Sequence, residues 1–228
     1  YGNHPMAIRM KSEMIDQIDY NRIMEMYKDR FKEAGDFTFL FVGNINLEEA
    51  KPFIETYLGG LPTINRKENF KDIKMDIRKG AHKNVFEKQM ETPKATVFSV
   101  ISGNCKFTPK NNLLMSMFSQ IMDMVYIETI REKEGASYGV STYGEMSCYP
   151  KEEAIFQIIF DTDPAKREKM EQIVMTELQK VAKEGPRPEH LAKVKEYMLK
   201  KHLENVKENS YWVNQLLEYY FNNIDLYT

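Results

Sequence analysis

Apolar residues recur at helical spacing along five long stretches and gather into five short runs of strand length. Ile23, Met26, Tyr27 and Phe31 mark the first helix, with Asp19 as its N-cap and Gly35 as its stop. Phe37 to Val42 (FTFLFV) follows as an aromatic-rich run, the pattern of a strand covered on both faces. Asn46 caps a second helix, LEEAKPFIETYL, whose first turn carries Glu48 and Glu49 where the helix dipole favours anions. Residues 61–80 are charged and hold Pro62, which predicts a surface loop.

His82–Met90 and Ala95–Ser102 are predicted as an antiparallel pair around the turn at Glu91-Thr92-Pro93, although Val85 and Glu87 alternate poorly. Thr108-Pro109 opens a long helix by the cap-then-proline rule. Its stripe of Leu113, Leu114, Met117, Phe118, Ile121, Met124, Val125 and Ile127 is wide enough to lie on a sheet. Beyond Gly135, Tyr138–Met146 and Glu153–Phe160 form a second strand pair. Asp163-Pro164 starts a helix with Met170, Ile173, Val174, Leu178 and Val181 inward. A last helical region runs from Glu189 to about Asn222, with a bend predicted near Asn209-Ser210.

The order α-β-α-β-β-α-β-β-α-α predicts an α+β fold: a mixed, mostly antiparallel sheet of about five strands with helices on one face. Residues 1–18 are weakly patterned and are assigned as a lead-in. Residues 19–228 are assigned as one domain with a helical C-terminal extension. The echo between FVGN (41–44) and ISGN (101–104) is too short to establish a repeat.

With 42% hydrophobic and 29% charged residues, the chain has the make-up of a globular protein. A net charge of −2 offers no electrostatic case for nucleic acid or an anionic membrane. No continuous apolar run approaches the roughly 18 residues of a membrane span, and no leader stands at the start. The chain begins at Tyr-Gly-Asn-His-Pro, which suggests a piece of a longer protein, so the missing leader says nothing about compartment. Cys105 and Cys148 lack CxxC spacing and leave the redox setting open.

His4, His82, His190 and His202 fall in no HExxH, HxxEH or HxH spacing, and no Gly-x-Ser-x-Gly elbow is present. No metal ligands or cofactor are therefore assigned within this chain. The chemistry that stands out is Arg131 followed seven residues later by Tyr138, across a helix-to-strand corner in IMDMVYIETIREKEGASYGVST. A guanidinium and a phenol are both able to hydrogen-bond a peptide. The plain alternative is an arginine stabilised by the helix dipole and by Glu128, Glu132 and Glu134, with Tyr138 as a strand aromatic.

FTFLFVGNINLEEAKPFIETYLGGLP resembles the strand–helix unit that opens the non-zinc domains of the pitrilysin/insulinase family of zinc peptidases. TIREKEGASYGVST is similar to that family's Arg–Tyr element, and SYWVNQL to the C-terminal helices of its longer bacterial members. The likeness spans roughly residues 17–220. It implies a C-terminal domain that binds peptide through Arg131 and Tyr138, with Tyr138 as the catalytic oxyanion partner at a zinc site on another domain or subunit. The implied partners are a peptide or protein substrate and a zinc-bearing domain or subunit; the compartment is unknown from sequence, with the bacterial periplasm or cytoplasm suspected. The HxxEH motif is absent, so the chain alone is predicted inactive. A structural or peptide-binding subunit that has lost catalysis is the alternative, and a two-chain peptidase is a third arrangement.

Overall fold

The computed structural model describes residues 1, 2, 4–133 and 139–224, with 131–133 described by their backbone alone. It divides into two compact units, residues 80–205 and residues 1–79 with 206–228.

The 80–205 unit is built on three strands, β1 (Ala95–Asn104), β2 (Val140–Ser147) and β3 (Glu153–Thr162). Their order is β1-β3-β2, and both pairings are antiparallel. The chain passes from β1 through a helix to β2, then returns as β3 between them. Register aligns Val97, Phe160 and Val140 across the sheet. On β3, Phe156, Ile158 and Phe160 are buried at alternate positions, the two-residue period of a half-covered strand. Phe98, Tyr143 and Ile159 on the opposite face are exposed.

The covered face is packed by helices α3 (Pro109–Tyr126) and α4 (Arg167–Glu184), with α5 (Pro188–Asn205) behind. Ile121, Met122, Val125 and Tyr126 are the buried positions of α3. They join Ile158, Met170, Val174 and Val194 in one cluster, each buried side chain contributing roughly 1.5–3 kcal/mol. Tyr126 takes its hydroxyl into this core and donates it to the Val174 carbonyl at 3.1 Å. Leu113 and Leu114, placed on the same stripe by sequence, are exposed at the helix start. By length and composition, Pro109–Ile130 is apolar enough to cross a membrane, but a core helix meets the same test.

In the other unit, α1 (Tyr20–Phe31) and α2 (Leu47–Tyr57) begin at the predicted caps. Asp19 accepts from Arg22 N and Asn46 accepts from Glu48 N. The last helical region is two helices rather than one bent one. α5 ends at Asn205 and α6 (Asn209–Asn222) belongs with residues 1–79. Among the described residues of this unit only Glu33 is fully buried. Its carboxylate accepts from Gly35 N, Ile64 N, Arg66 N and the Thr63 hydroxyl, pinning the 63–66 loop to the end of α1.

The α+β class holds, but the sheet has three strands among the described residues instead of about five. Phe37–Val42 and His82–Met90 take no regular secondary structure and join no ladder. Phe37 and Phe39 instead form an aromatic row with Phe31 of α1, at centroid separations of 5.7 and 6.2 Å. The other segment leaves Val85 and Phe86 exposed, consistent with its poor alternation.

Candidate functional site

The corner between α3 and β2 is bounded by described structure on both sides. After Tyr126 the helix widens into a π-helical turn, Ile127–Lys133, which contains Arg131. Such turns make up well under 1% of residues and recur at functional sites. The Arg131 side chain and the whole of Tyr138 lie outside the described residues. The chain re-enters at Gly139, and β2 begins at Val140, which is buried.

Two polar contacts hold the ends of the corner. Asp123 on α3 accepts from both the backbone N–H of Thr142, at 2.8 Å, and its hydroxyl, at 2.9 Å. The Ser119 side chain also meets that hydroxyl at 2.9 Å. Burial pushes the Asp123 carboxyl above its ordinary pKa, opposed by the two Thr142 bonds. This clip ties the start of β2 to the helix 19 residues earlier.

The second contact lies inside the π-helical turn. Glu128 Oε1 lies 2.9 Å from His190 Nε2, and Arg187 donates to Oε2. The same Nε2 also lies 2.5 Å from Arg187 Nη2, so the carboxylate, the guanidinium and the imidazole meet at one point. His190 is fully buried, and its Nδ1 has no partner among the described residues. Hydrogen bonds from His190 and then Arg187 hold the Glu128 carboxyl below its usual range. Both carboxylate oxygens are thus engaged from the start of α5. Sequence reasoning counted Glu128 only as a charge beside Arg131 and missed this cluster. The only local signal was a histidine among the inward positions of a helix start, and its partner lies 62 residues away.

β2 is an edge of the sheet among the described residues, so its outer backbone groups lack a strand partner there. Among the described residues, no three His, Cys, Asp or Glu side chains converge where they could hold a metal ion. Cys105 and Cys148 are free thiols on the continuations of the two outer strands. Two strand spacings, roughly 9–10 Å, separate these strands. That exceeds the roughly 7 Å Cα separation a disulfide allows.

Residues 17–198 match the family described as the peptidase M16 inactive domain. The chain is 22% identical over 238 residues to a zinc protease PQQL-like protein of Arabidopsis thaliana, covering 96% of this chain and 24% of that protein. It is also 22% identical over 168 residues to a probable zinc protease PqqL of Haemophilus influenzae, covering 73% of this chain and 18% of that protein. The chain therefore spans about a quarter or less of the length of these relatives. The crystal structure of the periplasmic protease PqqL from Escherichia coli superposes with a TM-score of 0.65 at 15% identity, over 78% of this chain and 19% of that one. That likeness carries the fold. With most of its length inside the family match, the chain belongs to the M16 peptidase family, the pitrilysin/insulinase type, as the domain that bears no zinc motif.

Proposed function

We propose that this chain binds peptide and stabilises the transition state at a zinc site carried by another domain or subunit of an M16 endopeptidase. The supporting observation is that the π-helical turn of α3 falls on Arg131, in a chain of this family. Zinc in such an enzyme polarises the scissile carbonyl and activates water. What this chain adds is donors. The Tyr138 phenol offers one O–H on a stiff ring to the developing oxyanion. Arg131 presents a forked set of N–H groups to a substrate carbonyl or carboxylate. An extended peptide can pair with the free edge of β2 and run toward these groups.

Tyr138→Phe in the intact parent is expected to lower kcat by roughly tens- to hundreds-fold with little change in KM. Steady-state kinetics on a quenched-fluorescence peptide reads both, and an unaltered kcat removes the role assigned to the phenol. The competing reading is a family member that has lost catalysis and serves as a structural or peptide-binding subunit. It is favoured if no HxxEH segment occurs in the rest of the parent protein or in a subunit that co-purifies with it.

A further inference from the structure

We propose that His190 and Glu128 are positioning residues for the peptide-binding corner, holding the π-helical turn of Arg131 in place from the first turn of α5. This rests on the functional reading above and deepens it, since it names what keeps that turn in register. Glu128 is the second residue of the turn and lies three positions before Arg131. A π-helical turn is a rare departure from the regular α-helical ladder, found frequently at functional sites. The support described is specific: an imidazole from His190 on one oxygen and a guanidinium from Arg187 on the other.

His190 is a poor choice for packing alone. Its side chain is 1% exposed, yet Nδ1 is left without a partner among the described residues. A leucine there would avoid that loss, because burying a polar atom unpaired is unfavourable. What the imidazole adds is a polar contact at Nε2 to Glu128, with Arg187 Nη2 2.5 Å from the same nitrogen. That contact joins two segments 62 residues apart at the turn that bears the candidate substrate ligand. Glu128 is only partly buried, with its side chain 34% exposed, so its carboxylate is held by these partners and not by enclosure.

The test uses the intact parent enzyme and four variants: His190→Leu, Glu128→Leu, Glu128→Gln and Arg131→Ala. His190→Leu and Glu128→Leu are expected to stay folded and to lose roughly 10- to 100-fold in kcat/KM, mostly through KM, because the turn is displaced. Hydrogen exchange of the Ile127–Lys133 amides should quicken in both, while exchange in β3 stays as in the parent. Glu128→Gln keeps a polar group of the same size that can accept or donate opposite Nε2, and should retain most of the activity. If either leucine variant folds and retains parental kcat and KM while Arg131→Ala is impaired, the positioning role is overturned and the peptide-binding reading survives. If Arg131→Ala is itself silent, both fall together. Should His190→Leu not fold, Glu128→Leu, at a partly exposed site, decides the matter alone.

Discussion

Glu33 shows how one side chain can organise a unit that has little apolar core. Four donors meet its carboxylate, the Thr63 hydroxyl first among them in effect, and they lower its pKa from about 4.5 to about 2. Asp29, bonded to Lys32 and Arg66, is lowered to about 2 as well. A depressed carboxyl stabilises the fold fully above its unfolded pKa and loses that contribution as pH falls toward the folded value. The unit of residues 1–79 and 206–228 should therefore lose stability progressively between about pH 4.5 and pH 2. Acid titration followed by tryptophan emission suits this, since Trp212 lies in the same unit. Glu33→Gln should flatten the acid limb, and a limb identical to the parent's would show that this carboxylate is not the sensor. The N-caps at Asp19, Asn46, Thr108 and Asp163 were all legible beforehand, because each acts on a backbone N–H two or three residues away. Glu33 was not, because three of its donors lie 30 to 33 residues distant and no local pattern marks them.

At the scale of elements, β2 comes close against α3 at Gly144. A Cβ built there would sit 2.7 Å from Met115 Sδ and 3.2 Å from the Met115 carbonyl oxygen. Gly144→Ala should thus destabilise the 80–205 unit by about 1–3 kcal/mol, read from denaturant unfolding. The cost should shrink in a Met115→Ala background, where the side-chain part of the clash is gone. Helices were the more legible elements here. Each predicted helix exists, but the bend expected near Asn209 is a break between α5 and α6, and Leu113 and Leu114 of the predicted stripe are exposed. Strands were less so. β1, β2 and β3 occupy predicted runs, whereas Phe37–Val42 and His82–Met90 found no ladder. A helix satisfies its hydrogen bonds within its own sequence, but a strand exists only if another strand meets it in register.

For the whole molecule, membership of the M16 family places this chain among proteins about four times its length or more. Its four histidines lack any zinc-motif spacing. The isolated chain, supplied with zinc, should neither bind the metal stoichiometrically in calorimetry nor cleave peptides. A zinc stoichiometry near one, or turnover by this chain alone, would overturn the division of labour proposed here. The Arg131–Tyr138 pairing was visible in sequence because both residues belong to one continuous segment. The exposed face of the sheet, with Phe98, Tyr143 and Ile159, was not, since which side of a strand is covered depends on where the helices pack.

Sequence alone determined the helices, their caps, the α+β class and the likeness to a zinc peptidase family, all of which depend on neighbours along the chain or on short contiguous motifs. Tertiary structure decided which strands pair and that β2 lies at an edge among the described residues. It also decided that His190 is spent on Glu128 and is not left as a lone core imidazole. The reason is reach: a cap or a helical stripe is complete within a few residues. A ladder or a long-range side-chain contact needs two distant segments to arrive together, and composition cannot say which two will.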